Sequence, residues 1–373
     1  MKVLHICNDF SYTRVHSNLY KVLDEKGIQQ IVFNPTRDTT PIGQNNIDFK
    51  TKESKIIYSN SMAKYHSFLF RSKINFLYND LTSKIDINTI DIIHATTLFS
   101  DGALALKIKE KYGTPFVVAV RTTDIDVFLK YRPDLIFIVF KIIREASKIF
   151  FISDSLRKKF IKHYLIKSNN IEIDLKSNIV YNGIDDFWLN NIFSKKDSKP
   201  YKLLYVGRFV SRKNIPKLIN AVLHLNKKGY DLELNIIGSN GDDEIHIKEL
   251  ANKNTGVINY LGEIKDNTKL LQNYRENHIF AMPSKGETFG LVYIESLSQG
   301  LPILFMKNEA IDGIFNFEVG QVCTSSDKDE IVKSIEGILK NYQNYKLNKI
   351  DFNLFRWNNI AEKYLNFYTN ICQ

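Results

Sequence analysis

Two glutamates, Glu287 and Glu295, stand eight positions apart in the otherwise largely apolar stretch GETFGLVYIE. A strand at HIFAMPS (278–284), a loop at KGETF and a helix at GLVYIESLSQ, stopped by Gly300 with Pro302 beyond it, put Glu287 on the loop and Glu295 about a turn into the helix. The opening N–H groups of such a helix, from Gly290, Leu291 and Val292, lack intrahelical acceptors and carry the positive end of the helix dipole. That arrangement binds anions. Gly290 has no Cβ to hold a phosphate away from the backbone. Carboxylates on either side accept hydrogen bonds from hydroxyls, and the order hydroxyl, phosphate, hydroxyl describes a nucleotide sugar. The plainer alternative makes Glu287 a helix-start acid and Glu295 a residue of the solvated face.

A second loop has matching chemistry. LLYVGRFVSRKNIPKLINAV reads as strand, loop and helix, turning at Gly207 and carrying Arg208, Arg212 and Lys213 before the helix begins at Ile215. Cations facing a helix N-terminus suit a diphosphate, since Arg clamps two oxygens while Lys acts as a point charge. The alternative is an ordinary basic surface turn.

Positioning these loops requires strands that alternate with helices. Short β-branched or aromatic runs do so throughout, which predicts βαβ units and mostly parallel sheets. In the first half they fall at 2–7, 29–34, 90–95, 115–120, 148–153 and 178–183, and in the second at 201–207, 232–238, 256–262, 278–284, 301–306 and 320–325. The polar stretch FSKKDSKP (193–200) reads as the connection. The predicted organisation is an N-terminal domain over 1–192, that linker, a second domain over 201–350, and a C-terminal helix (351–373) packing back toward the first domain. Trp357, Ile360, Ala361, Tyr364 and Phe367 make one apolar face on that helix. Two doubly wound α/β domains would enclose a cleft lined by the loops that leave the carboxyl ends of their strands.

Length and composition agree with this reading. The chain has 373 residues, 44% of them hydrophobic and 25% charged, enough for two cores and without low-complexity tracts. Cys7, Cys323 and Cys372 are too few and too scattered for a disulfide framework or a zinc cluster and read as buried or inert thiols. No window supplies a signal sequence or a membrane span, so the chain is expected in the cytoplasm.

The second half resembles the retaining glycosyltransferases of family 4, which pair two Rossmann-like domains in the GT-B arrangement. Glu287 and Glu295 match that family's paired glutamates with seven residues between them, and GRFVSRKN is similar to its G-R-[LF]-x-x-x-K-G loop, with Asn214 departing at the last position. NGID, Asn182 to Asp185, is similar to the stretch before the family's interdomain linker. The resemblance implies that Glu287 and the Phe289 to Leu291 backbone hold the donor sugar, that Arg208 and Lys213 hold the diphosphate, and that Glu295 holds the ribose. It implies no metal. The donor is a co-substrate, with a UDP-sugar expected ahead of a GDP-sugar. Retention would follow from attack on the face the leaving group vacates.

The first half departs from the family pattern. The loop after the first strand, NDFSYTRVHSN (8–18), has no glycine where members often have two, and RTTDID offers Arg121 and Asp124 where many have a histidine near the donor sugar. Arg121 suits a phosphate or carboxylate and Asp124 an acceptor hydroxyl; a salt bridge between them is the structural alternative. His94 reads as a packed strand-end residue, and His16 as a weak catalytic candidate.

The net charge is +10, and residues 141–167 carry +6 of it, with eight basic and two acidic side chains. Peripheral contact with an anionic membrane is one reading of this stretch, beside the apolar run Leu135 to Ile143; core packing plus a solvated lysine face is the other. No nucleic-acid reading motif is present. The expected function is transfer of a sugar from a nucleotide donor to a glycan or polyprenyl-linked acceptor in cell-surface polysaccharide biosynthesis, at the inner face of the cell membrane. The alternatives are a nucleotide-sugar 2-epimerase or a non-catalytic sugar-nucleotide-binding subunit.

Overall fold

The computed structural model describes residues 1–194, 201–309 and 311–373. The chain forms two compact units, Met1–Gly183 with Trp357–Gln373, and Ile184–Arg356. The division thus falls at Gly183 rather than in the polar stretch read as a linker, whose residues 195–200 lie outside the described residues. Gly183, from the NGID motif, lies against Trp357: a Cβ there would come within 2.4 Å of the indole, so any side chain would push the closing helix away.

The sheet of the first unit has seven strands among the described residues: β1 (Lys2–Ile6), β2 (Gln29–Thr36), β3 (Lys55–Ser61), β4 (Ile92–Ala95), β5 (Phe116–Val120), β6 (Lys148–Phe151) and β7 (Ser177–Ile179). Their order is β3-β2-β1-β4-β5-β6-β7, with every pairing parallel. Helices cover both faces of such a sheet, so its central strands read as continuous apolar runs, and FVVAV of β5 is buried throughout. β3 escaped the sequence reading because it is an edge strand with the polar sequence KIIYSNS and exposed ends. The closing helix Trp357–Cys372 buries Trp357, Ile360, Ala361, Tyr364 and Tyr368 in the core shared with Leu19, Tyr20 and Phe150.

The second unit holds β8 (Lys202–Val206), β9 (Glu233–Ile237), β10 (Ile258–Gly262), β11 (Ile279–Ala281), β12 (Ile303–Met306) and β13 (Gly320–Cys323) in the order β10-β9-β8-β11-β12-β13, again parallel. Chain order reverses between β1 and β4 in one sheet and between β8 and β11 in the other. Crevices open at the carboxyl ends of strands at such points. Because β8 pairs with β11, the loops that leave these two strands are neighbours.

Candidate active site

The loop after β8 and the loop after β11 are stitched together. The Lys285 N–H donates to the Arg212 carbonyl at 2.8 Å, and Arg212 Nη1 donates to the carbonyls of Lys285 and Gly286 at 3.4 and 3.2 Å. Asn214 Nδ2 donates to the Pro283 carbonyl at 2.7 Å. Asn214 has φ +56°, just before the helix Ile215–Lys227. Its position explains the departure noted in the sequence: after Gly, Asn is among the residues that tolerate the left-handed region best, and here its amide adds a cross-loop bond that Gly lacks.

Within this frame Lys213 Nζ contacts Glu287 Oε2, with Arg212 Nη1 3.7 Å from the same oxygen. Both partners of the closer pair are largely buried, with side-chain exposures of 10% and 13%. Burial lowers the pKa of Lys213, and the Glu287 carboxylate pulls against it. The structure therefore joins the cation and the acid that spacing alone left 74 positions apart. Arg208 is exposed, and its guanidinium makes no hydrogen bond or ion pair among the described residues; its carbonyl accepts from the Tyr205 hydroxyl at 2.9 Å. Gly207 forms the turn between the two.

The helix after the β11 loop runs Leu291–Ser298, starting one residue later than predicted, with Gly290 as its N-cap at φ +69°. No side chain caps it, so the N–H groups of Leu291 and Val292 begin the helix without a capping acceptor. A Cβ on Gly290 would come within 2.6 Å of the Tyr293 ring. The Phe289 side chain is buried, with its ring 6.1 Å from that of Phe355, which leaves only its backbone to meet a ligand.

Glu295 is partly buried and accepts from the Tyr274 hydroxyl at 3.3 Å. Burial pushes its pKa up to about 7, the Tyr274 bond works downward, and the charge of Asp185 adds to the rise. Tyr274 lies on the helix Asn267–Glu276, and nothing in its sequence surroundings marked it. Asp185, by contrast, belongs to the NGID motif.

The first unit corrects one expectation. Asp124 is buried, and its oxygens accept the backbone N–H groups of Leu98, Phe99 and Arg121 at 3.1, 3.2 and 2.8 Å. It ties two loops together, leaving it neither an open acceptor for a hydroxyl nor a side-chain salt bridge to Arg121. Burial raises its pKa to about 6 against the pull of those N–H donors. Arg121 is partly exposed; its Nε donates to the Thr96 carbonyl at 3.1 Å, and its terminal nitrogens make no hydrogen bond among the described residues. His94 is packed, with Nδ1 2.7 Å from the Tyr368 hydroxyl.

Sequence reasoning passed over Asp9. Its carboxylate, Cys7 Sγ and a ring nitrogen of His16 lie within 4.8 Å of one another. Cys7 and Cys323 are buried as expected, whereas Cys372 is exposed.

Comparison with known proteins places both halves. Residues 13–186 match the family described as Glycosyltransferase Family 4, and residues 186–350 match Glycosyl transferases group 1. A relative from Staphylococcus aureus, the capsular polysaccharide biosynthesis glycosyltransferase CapM, is 32% identical over 209 residues, which is 52% of each chain. The chain spans about half the length of the curated relatives it matches. Among solved structures, sucrose-phosphate synthase from Thermosynechococcus elongatus superposes with a TM-score of 0.75 at 16% identity, covering 100% of this chain and 99% of that one. Anabaena HepE in complex with UDP superposes at 0.71 and 14% identity, over 99% of this chain and 100% of its own.

Proposed function

The chain belongs to the family 4 glycosyltransferases, with the two family matches together running from residue 13 to residue 350, and from that premise we propose that it transfers a sugar from a nucleotide donor to a saccharide acceptor with retention of configuration. The observation that carries the proposal is the Lys213–Glu287 pair, held by two stitched loops beside the uncapped start of the helix Leu291–Ser298.

In this reading Lys213, the unpaired Arg208 guanidinium and the N–H groups of Leu291 and Val292 take the donor diphosphate. They oppose the charge that develops as the nucleoside diphosphate departs. Glu287 takes hydroxyls of the donor sugar. Its contact with Lys213 fixes where sugar ends and phosphate begins, because one charge of the pair faces each. Glu295 takes the ribose hydroxyls; one oxygen is engaged by Tyr274 and the other has no hydrogen-bond partner among the described residues. No enzymic nucleophile is invoked. The acceptor oxygen attacks the anomeric carbon on the face the leaving group vacates, the bond to the diphosphate breaks, and the acceptor proton passes to a departing phosphate oxygen.

A UDP-sugar is the favoured donor, ahead of a GDP-sugar. An acceptor from cell-surface polysaccharide assembly, a glycan or a polyprenyl-linked precursor, is supported by the role named for CapM. We place the protein at the inner face of the cell membrane, held there peripherally through residues 141–167; no helix among the described residues is long and apolar enough to cross a membrane. The apolar helix Ile136–Glu145 turns Val139, Ile142 and Ile143 into the core and leaves Phe137 81% exposed. Lys141, Arg157, Lys158 and Lys159 are paired with Glu110, Asp154, Asp174 and Asp126 of the protein itself. Lys148, Lys162 and Lys167 make no ion pair among the described residues, so they and Phe137 are the groups that would meet the lipid.

The deciding experiment offers UDP-, GDP- and ADP-sugars to the purified chain in a thermal-shift screen, followed by turnover with the sugar that binds. A ligand that binds only the folded chain must raise its melting temperature. If no nucleotide sugar moves the melting point, the proposal fails.

A further inference from the structure

At the switch point of the first sheet, three loops converge on an open polar patch. The loop after β1 brings Asn8 and Asp9, the loop after β4 brings Thr96 and Thr97, and the loop after β5 brings Arg121. Asn8 Nδ2 donates to Thr97 Oγ1 at 3.2 Å, and Arg121 Nε to the Thr96 carbonyl at 3.1 Å, so the three loops form one surface. Beneath them buried Asp101 accepts from the Thr96 hydroxyl at 2.9 Å and from the Asn8 N–H at 3.4 Å.

Two charged groups on this surface are unspent. The Asp9 side chain remains 39% exposed although His16 Nε2 lies 2.9 Å from it and Cys7 Sγ donates to it at 3.5 Å. His16 itself is buried, with 5% of its side chain exposed, so it acts as a fixed backstop to a carboxylate that faces outward. The terminal guanidinium nitrogens of Arg121 have no partner among the described residues.

We propose that this patch is an acceptor subsite, in which Asp9, aligned by His16, accepts a hydrogen bond from an acceptor hydroxyl while Arg121 engages an oxyanion, carboxylate or phosphate, carried by the same acceptor. This rests on the glycosyltransferase reading and adds a substrate class to it: the acceptor is anionic close to the hydroxyl that Asp9 holds. Asp9 orients that hydroxyl rather than removing its proton. Burial opposes ionisation of Asp9, but the attraction and hydrogen bond of His16, together with the charge of Arg121, outweigh it and hold the carboxyl well below the usual range. So weak a base gains little from proton abstraction. His16 is a positioning residue, acting through Asp9.

The test uses the full chain and three probes, methyl glucoside, methyl glucuronide and glucose 6-phosphate, titrated by saturation-transfer NMR without donor. The expected result is that one or both anionic probes bind at least tenfold more tightly than the neutral one, and the stronger of the two identifies the oxyanion. Arg121→Met should abolish that preference, and Asp9→Asn should weaken the anionic probes about tenfold, the scale of a hydrogen bond to a charged group. His16→Gln, which keeps an N–H donor, should restore most of the affinity that His16→Phe loses. Equal binding of neutral and anionic probes by the native chain, or an unchanged preference in a folded Arg121→Met variant, overturns the proposal. UDP binding is titrated in parallel on every variant. A native chain that binds UDP but none of the anionic probes condemns the subsite alone, whereas a native chain that binds the anionic probes but no nucleotide sinks the donor reading and leaves the subsite standing.

Discussion

Lys213 and Glu287 meet across two loops that leave neighbouring strands, an ion pair of which roughly nine-tenths is out of solvent on each side. A pair so placed makes each partner depend on the other. Removing one leaves a buried charge uncompensated, which costs about 3–5 kcal/mol, whereas replacing both with apolar groups of similar volume is often neutral.

Glu287→Leu should therefore lower the unfolding free energy by about 3 kcal/mol, and Lys213→Met by a smaller amount, since Met removes the cation and Glu287 retains Arg212 as a neighbour at 3.7 Å. The double variant should recover most of the stability and none of the transfer activity. Denaturant melts and turnover on the four proteins of the cycle check this; additive stability losses would mean the two residues do not act as a pair.

Asn214 provides a backbone test of the same frame. Asn214→Gly keeps the left-handed conformation but loses the bond to Pro283, a loss of about 1 kcal/mol. Asn214→Ala must also hold an unfavourable φ, so its loss should rise to about 2 kcal/mol. Thermal melts should rank native above Gly above Ala, and a more stable Ala variant would contradict the observed conformation.

Gly290→Ala introduces a Cβ at φ +69° and within 2.6 Å of the Tyr293 ring. Strain of this kind costs about 1–3 kcal/mol. Because the residue caps the helix whose first N–H groups face the proposed diphosphate, nucleotide affinity should fall together with stability. Isothermal titration with the nucleotide found in the thermal-shift screen would show it, and full affinity in a strained variant would move the diphosphate elsewhere.

The pH dependence of Glu295 has a definite sign. Its pKa rises from 4.5 to about 7 on folding, so between those values the folded chain binds more protons than the unfolded one. Stability attributable to Glu295 is then fully present below about pH 4.5 and declines as pH rises toward 7. Asp124, raised to about 6, titrates in the same window. The difference between the native protein and Glu295→Gln isolates the first group: the native protein should lose stability relative to the variant from pH 5 to 8, as measured by denaturant melts. Parallel curves would return Glu295 to the ordinary carboxylate range.

For the membrane, flotation with liposomes of anionic and neutral lipid separates charge from apolar insertion. Because Lys141, Arg157, Lys158 and Lys159 are paired internally, salt should weaken binding only by the share that the unpaired Lys148, Lys162 and Lys167 contribute. Phe137→Ser should release the protein from vesicles, and a variant that floats as well as the native chain would remove this surface from consideration.

Much of the candidate site was legible in the order of residues. Strand–loop–helix punctuation located both loops of the candidate site, and the predicted strands up to 320–325 all have counterparts in the two sheets. β3 was missed because an edge strand need not be apolar on both faces, and its sequence lacks the buried-strand pattern. Asp124 was misread because a carboxylate beside an arginine looks the same in sequence whether it faces solvent or accepts three backbone N–H groups. Asp9 and His16 carried no spacing signal that distinguished them from loop polar residues.

Residue order alone was enough to determine the alternation of strands and helices, the start of the helix Leu291–Ser298 to within one residue and the cationic turn after β8, because periodicity, capping and turn chemistry act over a few neighbouring residues. Tertiary structure decided which of these parts meet. Lys213 reaches Glu287 because strand order places β11 beside β8, and the fold brings the Tyr274 hydroxyl of the helix Asn267–Glu276 to Glu295. Burial then separated the roles of like residues: Asp124 spends its oxygens on backbone N–H groups, while Asp9 keeps an exposed face.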